Sequence, residues 1–361
     1  MHPVRLIAPL LAGLILAPPS HGAVLTMGAG QTYTTLAAAV AAASAGDTID
    51  VLAGTYVDQV ATINIPLTIE GVGGTPVFTQ TGGTELANLK GFLVVNASLT
   101  VDRLRFQGAS ISAGNGGNGA GIRYQGGDLT VTNSQFVNNQ DGILAFPVNT
   151  GPNTGAILIQ NSSFSGNGSG TGLTHAIYAG QVASLTVIGS TFSGTLVGHD
   201  IKSRAARTIV TGDTLDDGVS GTTSYAIDIA EGGNATITGN TISQGPNTQN
   251  STMLSYAAEG VTWTDNALQV MGNVFLNTNA SAIGVNNHAG AVTASVSCNA
   301  FSGVTVLTQG LAVLTGNATG TTTVPACGQA VPEPPVHAVL LTGLLLLLGA
   351  RLRWPAPRAR A

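Results

Sequence analysis

One short sequence pattern recurs along most of the chain. In residues 225–245, two alternating apolar runs flank a Gly-Gly-Asn turn, and Ile227 and Ile229 alternate with Asp228. Side chains of a strand point alternately to its two faces, so this alternation predicts short strands with isoleucine inside and Asp228 outside. Ile237 and Ile242 repeat the inward positions. Further copies lie at residues 99–106, 129–136, 157–164, 185–192, 208–215, 268–275 and 294–301.

The repeat predicts a solenoid built only of strands. Copies follow one another every 23 to 33 residues or so, within the range of solenoid repeats. A unit of this size cannot bury its apolar face alone and must stack on its neighbours. No helical period lies between the copies, which favours an all-β parallel β-helix. Over about residues 24–327 the sequence resembles the right-handed parallel β-helix of the pectin-lyase-like superfamily, and we assign residues 23–327 to that domain.

The composition agrees with stacked coils and argues against a disordered chain and against a nucleic-acid-binding protein. The 361 residues include 49 glycines, and only 8% are charged, yet 43% are hydrophobic and periodically placed, which is unlike a disordered chain. The formal net charge is −5, and five of the twelve basic residues lie in the terminal segments. The repeat region is therefore more acidic still and lacks the basic footprint of a nucleic-acid-binding protein.

The beginning of the chain predicts export and a cap for the solenoid. Residues 1–22 combine Arg5, a short apolar core and a run of small residues, which is typical of a secretory signal peptide. The apolar core is too short for a membrane anchor. The alanine-rich stretch that follows predicts a short helix with Thr34 or Thr35 as its N-cap and Gly46 as its stop. Residues 47–56 follow as the first predicted strand and turn, and the helix would cover the open end of the first coil.

Two further features of the repeat region are predicted to be structural. Asn240, Asn273 and Asn299 occupy the same repeat position, where stacked amides can form a hydrogen-bonded ladder. Cys298 and Cys327, the two cysteines, lie at the end of the repeats. In an exported protein they predict a disulfide that closes the last coil, with two unpaired buried thiols as the alternative.

One cluster of charged residues is a candidate for chemistry. In residues 199–207, strand alternation places Ile201 and Ser203 inside and Asp200, Lys202 and Arg204 on the outer face.

The neighbouring coils add to this cluster. The following coil aligns Tyr225 beside His199 and Asp228 beside Lys202, and His175 lies one coil earlier. Glu231 and Glu259 both precede a glycine and are predicted to be neighbours.

These residue types suit an acidic sugar polymer. Lytic cleavage of a uronate needs a base, an acid and a cation that neutralises the carboxylate. Lys202 is the candidate base, with Arg204 and His199 in assistance. Arg204 disfavours the charged form of Lys202, whereas Asp228 favours it.

Calcium is the candidate metal, with Asp228, Glu231 and Glu259 as its ligands. Residues 201–203 resemble the lysine-bearing strand of alginate- and chondroitin-type β-helix lyases. A cross-coil salt bridge between Lys202 and Asp228, with no chemistry at all, is the alternative, as is polymer binding without cleavage.

The end of the chain predicts sorting to the envelope. Residues 331–335 contain Val-Pro-Glu-Pro, an apolar run follows, and four arginines close the sequence. This order predicts a transmembrane helix with its arginines inside. It resembles the PEP-CTERM sorting signal of Gram-negative bacteria. That resemblance implies recognition of Pro332, Glu333 and Pro334 by an exosortase and assigns residues 328–361 to the tail. A permanent single-span anchor is the alternative.

The sequence therefore predicts an exported envelope or extracellular protein. Its expected role is non-catalytic binding or organisation of extracellular polysaccharide. The alternative is a polysaccharide lyase acting on an acidic polymer through Lys202 and Arg204.

Overall fold

The computed structural model describes residues 22–146 and 155–326. Contacts divide the chain into Met1–Pro325 and a short second unit, Ala326–Ala361, most of which lies outside the described residues. Within the described part of Met1–Pro325, short strands pair in parallel in three sheets of 12, 11 and 10 strands. Each coil contributes in turn to the 12-, the 11- and the 10-stranded sheet. The fold is thus the predicted parallel β-helix, and its right-handed winding stays a prediction.

The strands of each sheet come from successive coils. The 12-stranded sheet contains β1 (Val24–Met27), β2 (Thr48–Leu52), β5 (Leu67–Val72), β8 (Leu99–Asp102), β11 (Leu129–Thr132), β14 (Ala156–Gln160), β17 (Ser184–Ile188), β20 (Arg207–Thr211), β23 (Asn234–Thr238), β26 (Ala267–Met271), β29 (Ala294–Ser297) and β32 (Ala312–Thr315). The 11-stranded sheet contains β3 (Thr55–Val57), β6 (Val77–Thr79), β9 (Arg105–Gln107), β12 (Gln135–Val137), β15 (Ser163–Ser165), β18 (Thr191–Ser193), β21 (Thr214–Asp216), β24 (Thr241–Gln244), β27 (Val274–Asn277), β30 (Ala300–Ser302) and β33 (Ala318–Thr319). The 10-stranded sheet contains β4 (Ala61–Ile63), β7 (Gly91–Val95), β10 (Ala120–Tyr124), β13 (Asp141–Ala145), β16 (Ile177–Ala179), β19 (Ile201–Ser203), β22 (Ile227–Ile229), β25 (Thr252–Tyr256), β28 (Ile283–Asn287) and β31 (Val306–Gln309).

Equivalent residues of successive repeats stack directly on one another inside the solenoid. Phe106, Phe136, Phe164 and Phe192 pair in register along the 11-stranded sheet. The rings of Phe136 and Phe164 are 4.7 Å apart and nearly parallel, with an interplanar angle of 3°. Stacked pairs of this kind contribute about 0.5–1.5 kcal/mol beyond the burial of their area. The repeat read from the sequence is therefore the physical repeat of the core.

A polar ladder runs through the turn between the 12-stranded and 11-stranded sheets. Each member accepts a hydrogen bond from the backbone N–H of its counterpart one coil earlier, as Asn273 does from Asn240 at 2.9 Å. The predicted ladder of asparagines is thus confirmed, and serines and one aspartate extend it. Its members are Ser134, Ser162, Ser190, Asp213, Asn240, Asn273, Asn299 and Asn317.

The residue before each ladder position turns the chain. Gly239 adopts a φ of 65°, and Asn161 and Cys298 adopt 50° and 57° at the equivalent position. Glycine and asparagine tolerate this left-handed conformation better than other residues do. In each Gly-Asn pair of the repeat, the glycine therefore turns the chain, and the asparagine forms hydrogen bonds to the neighbouring coils.

The N-terminal cap differs from the sequence-based prediction in two respects. The sequence predicted the first strand within residues 47–56, after the helix. Strand β1 instead precedes the helix, and the strand that follows the helix is β2. Helix α1 (Leu36–Ala42) has Thr35 as its N-cap, as predicted, but it ends at Ala42 rather than at Gly46. Ala43 is already extended, and its N–H donates to the carbonyls of Ala39 and Val40. Leu36 and Ala39 are buried in the core, so the helix does pack on the first coils.

Several predictions concern residues that the structure does not describe. The signal peptide (residues 1–22, of which only Gly22 is described) and the sorting tail, with Pro332, Glu333, Pro334 and the transmembrane helix, lie outside the described residues. In residues 22–146 and 155–326, no helix has the length and apolar character needed to cross a bilayer. Cys298 is disulfide-bonded. Cys327, its predicted partner, is also outside the described residues.

The aspartate of the polar ladder, Asp213, is held in an unfavourable site. Its Oδ1 accepts a hydrogen bond from the Ser190 N–H at 2.6 Å, but its Oδ2 is buried without a hydrogen-bond partner. The equivalent amide groups of Asn240 and Asn273 donate to backbone carbonyls at 2.9 and 2.8 Å. Burial raises the pKa of Asp213 to about 7. A carboxyl group is therefore less suited to this position than an amide.

We predict that Asp213→Asn stabilises the protein at pH 8. In the unfolded chain an aspartate ionises near a pH of about 3.9. Between about pH 4 and 7, Asp213 is therefore protonated in the folded state but ionised in the unfolded state. Stability conferred by Asp213 is therefore lost as pH rises through this window, and the asparagine variant escapes that loss. We expect a gain of roughly 1–3 kcal/mol at pH 8 that shrinks towards pH 4. Thermal unfolding at pH 4, 6 and 8 measures it, with exposed Asp265→Asn as control. An equal effect at all three pH values would contradict the prediction.

Candidate functional site

The predicted charged residues lie together on the outer side of the 10-stranded sheet. Strand register aligns Arg123 with Leu144, Leu144 with Tyr178, Tyr178 with Lys202, and Lys202 with Asp228. The predicted alignment of Lys202 with Asp228 is therefore confirmed. These five side chains form one outward column that runs along the solenoid axis.

One member of the predicted outer face is instead buried. Ile201 and Ser203 point inside, as expected. Asp200, however, is only 2% exposed, and its Oδ1 accepts a hydrogen bond from the Thr195 hydroxyl at 2.6 Å. Asp200 precedes β19 at the corner of the coil, where strand alternation does not yet apply. Burial raises its pKa to about 7, and it takes no part in the outer cluster.

Glu259 joins the two cationic side chains of the cluster. Its Oε1 lies 2.7 Å from Lys202 Nζ, and its Oε2 accepts from Arg204 Nη2. Partial burial opposes ionisation of Glu259, but the hydrogen bonds and charges of Lys202 and Arg204 outweigh it and lower its pKa. Lys202 Nζ is also 3.8 Å from Asp228 Oδ2. Lys202 is therefore paired with two carboxylates, one of which is the Asp228 that the sequence placed beside it.

Arg204 is held on several sides. Its Nε lies 3.2 Å from Glu231 Oε1, and its Nη1 donates to the phenol oxygen of Tyr178. The Arg204 guanidinium also lies over the Tyr178 ring, with its carbon 5.3 Å from the ring centre. Glu231 in turn accepts from Gln181 Nε2 at 2.6 Å. Glu231 and Glu259 therefore meet at Arg204, in agreement with their predicted proximity.

The predicted calcium ligands face cations rather than one another. Asp228 lies beside Lys202, Glu231 beside Arg204, and Glu259 beside both. Among the described residues, no group of three potential His, Cys, Asp or Glu ligands is gathered. A carboxylate that is already neutralised by Lys or Arg is a poor start for a divalent-cation site. Calcium binding by Asp228, Glu231 and Glu259 stays a prediction.

The two histidines form a neutral stack behind the ion pairs. The rings of His175 and His199 lie 4.7 Å apart, and Tyr225 stacks on His199 at 5.0 Å. The Nδ1 atoms of His175 and His199 accept hydrogen bonds from the backbone N–H groups of His199 and Tyr225, which places the ring proton on Nε2. Burial, followed by the charge of Lys202, lowers the pKa of His199 to about 3.

His199 is consequently a neutral imidazole at neutral pH. Its Nε2 lies 3.9 Å from Asp228 Oδ2, so it supports Asp228 more directly than it assists Lys202. This geometry gives His199 a positioning role beside Lys202 and Asp228.

A cleft opens beside the outward column of the 10-stranded sheet. It has a volume of ≈ 390 Å³, and we call it the lateral cleft. The residues that matter for its chemistry are Arg123, Phe146, Leu173, Tyr178, Lys202 and Arg204. A second cavity of ≈ 500 Å³ lies between α1 and β4 and is lined by no charged side chain. Only the lateral cleft of these two therefore combines cations with aromatic rings.

Sequence reasoning missed three residues of the lateral cleft. Arg123 is the outward residue of a strand in the same sheet as Lys202, and Tyr178 occupies the position of Lys202 one coil earlier. Aligning every repeat on the 10-stranded sheet would have placed both in the column. Phe146 follows strand β13, and no feature of the repeat marks it.

Comparisons with known proteins find similarity in solved structures alone. No protein-family model matches, and no curated protein matches. An alginate lyase from Paenibacillus sp. str. FPU-7 is 19% identical, with 80% of this chain and 95% of that chain covered and a TM-score of 0.49.

Two further solved structures are less similar. A mutant of the PL6 family alginate lyase AlyGC is 15% identical, with a TM-score of 0.44, and 84% of this chain spans 41% of that lyase. Pectin methylesterase from Aspergillus niger is 13% identical, with 88% and 93% of the two chains covered and a TM-score of 0.33. Such values transfer no activity to this chain, whose chemistry has to come from its own side chains.

Proposed function

We propose that this protein is exported and binds an acidic polysaccharide in the lateral cleft. The observation that carries the proposal is the convergence of Arg123, Lys202 and Arg204 with the rings of Phe146 and Tyr178 in one cleft. Arginine and lysine bind carboxylates through charge-assisted hydrogen bonds. Aromatic rings offer flat apolar faces on which sugar rings can pack.

The shape of the site suits a polymer. The outward column rises by one side chain per coil, or about 4.8 Å, along the solenoid axis. A linear chain laid along this axis meets a new side chain on every coil. A compact ligand would use only one or two of these positions.

Two features support export. Residues 1–22 have the order of a signal peptide. Cys298 is disulfide-bonded, and disulfides persist mainly in oxidising compartments. We further propose sorting at Pro332, Glu333 and Pro334 by an exosortase. The C-terminal helix would hold the protein in the membrane until processing, and the mature protein would act at the cell envelope or surface of a Gram-negative bacterium.

The test is binding of the purified full chain to a panel of polysaccharides. We expect saturable binding to alginate or pectate, with and without calcium, and weak binding to neutral glucans. Calorimetry at two salt concentrations measures both affinity and its electrostatic part, since salt screens exposed charges. Equal affinity for neutral and acidic polymers, or none for either, would reject the proposal.

We predict that Glu259→Gln strengthens this binding. Glu259 competes with a polymer carboxylate for Lys202 and Arg204, and glutamine removes the competing charge. The expected gain is roughly threefold to tenfold in affinity, with a steeper dependence on salt. Glu70→Gln is the matched control, because Glu70 pairs with Arg103 elsewhere on the solenoid. Weaker binding by Glu259→Gln would mean that Glu259 positions the cations for the ligand.

A lyase is the second candidate, favoured by the position of Tyr178 beside Lys202 and Arg204. Burial raises the pKa of Tyr178, so its phenol stays protonated and can act as an acid. In β-elimination, Lys202 would take the proton beside the carboxylate, and the electron pair left behind would form a double bond. The bond to the leaving oxygen would break, and that oxygen would take a proton from Tyr178. A lysine acts as a base only in its neutral amine form.

The lyase candidate predicts an ultraviolet signal that depends on Lys202. If it is correct, the wild-type chain raises the absorbance of unsaturated uronate, and Lys202→Ala reduces the rate about 100-fold or more. Lys90→Ala, at an exposed lysine outside the lateral cleft, is the control and keeps the wild-type rate. A flat trace from the wild-type chain on alginate, pectate and glycosaminoglycans would eliminate the lyase and leave binding.

A further inference from the structure

The three cations of the lateral cleft differ in what already neutralises them. Lys202 contacts Glu259 and Asp228, and Arg204 contacts Glu259 and Glu231. Arg123 forms no ion pair within 4.0 Å, and none of its N–H groups donates a hydrogen bond, within residues 22–146 and 155–326.

The surroundings of Arg123 hold its guanidinium in place without satisfying it. Its Nε is buried and has no hydrogen-bond partner among the described residues. Its guanidinium carbon lies 5.8 Å from the centre of the Phe146 ring, on the wall of the cleft. An unsatisfied buried N–H of a cation is costly, and a carboxylate that binds the guanidinium from the cleft offsets that cost.

The charge of Asp141 acts on Arg123, but the two groups form no ion pair within 4.0 Å. Asp141 is fully buried, and its Oδ1 is used by the His175 N–H at 2.8 Å. Burial raises the pKa of Asp141 to about 8, so much of it is uncharged at neutral pH. Arg123 therefore keeps a net positive charge that the described part of the chain does not match.

The charge balance of the cleft leads to the same residue. Lys202 and Arg204 supply two positive charges, and three carboxyl groups, those of Asp228, Glu231 and Glu259, lie within 4.0 Å of them. Lys202 and Arg204 are therefore already matched by acidic side chains in direct contact. An anionic ligand gains most where the positive charge is uncompensated, which is at Arg123.

We propose that Arg123 is the residue that receives a sugar carboxylate, with Phe146 as the adjoining wall of that subsite. This proposal rests on the proposed function and names the ligand group that the cleft selects. The planar guanidinium can bind a carboxylate through two parallel hydrogen bonds, so the subsite recognises uronate rather than neutral sugar. Lys202 and Arg204 line the cleft farther along.

The register also sets the size of the ligand. Arg123 and Lys202 are separated by Leu144 and Tyr178 in the column, which is three strand spacings or about 14 Å. One sugar ring cannot reach across that distance. An oligosaccharide that holds its carboxylate on Arg123 can extend along the axis past Tyr178 to Lys202.

The test pairs a change in the protein with a change in the ligand. Calorimetry measures binding of a uronate oligosaccharide, and of the same oligosaccharide with its carboxyl groups reduced to alcohols, to the full chain and to Arg123→Met. Methionine keeps an apolar stem beside Phe146 and removes the charge. We expect the variant to bind the uronate about 10- to 100-fold more weakly and the reduced ligand with unchanged affinity.

The controls separate the outcomes. Arg105→Met removes a half-buried arginine whose Nε is likewise unpaired, from the 11-stranded sheet, and is expected to bind like the wild type. Arg123→Lys keeps the positive charge but cannot form two parallel hydrogen bonds to one carboxylate, and it should give an intermediate loss of uronate affinity. This variant serves as the test if Arg123→Met does not fold. Absence of uronate binding by the wild-type chain would reject the proposed function itself. Wild-type binding that Arg123→Met leaves intact, or weakens equally for both ligands, would overturn the subsite alone.

Discussion

The structure depends on one constraint, which is the parallel pairing of each strand with its counterpart one coil away. This pairing fixes the spacing at about 4.8 Å and places equivalent residues directly above one another. Phe136 and Phe164 stack because of it, and Asn240 and Asn273 bond because of it. The contacts of a residue in this fold therefore depend more on the equivalent residues of the two adjacent coils than on its neighbours in the sequence.

The same constraint creates the candidate site wherever the repeats stop being alike. On the outward face of the 10-stranded sheet, successive coils place Arg123, Tyr178, Lys202 and Asp228 in a single column. Unlike side chains then meet at the spacing that otherwise stacks identical ones. Register alone places Asp228 beside Lys202, and Glu259, two coils beyond Lys202, reaches back to add a second carboxylate.

Several parts of this arrangement could be predicted and others could not, for physical reasons. Repeat spacing gives the stacking partners, so the contact of Lys202 with Asp228 and the ladder through Asn240 followed from the sequence. Repeat spacing does not predict the conformation at the corners of a coil or the residue at which a helix ends. Asp200 lies at a corner, where alternation fails, and α1 ends at Ala42 because the chain becomes extended there, before the glycine that the sequence predicted as its stop.

The sequence by itself determined the parallel β-helix, its core columns and the presence of a charged cluster around Lys202, because a period and an alternation are properties of the chain alone. Only the tertiary structure decided which charges are satisfied. Whether a cation is free depends on side chains that arrive from other coils, such as Glu259 at Lys202, and on burial, as at Asp141 near Arg123. Neither the partner nor the burial has a signature in the local sequence.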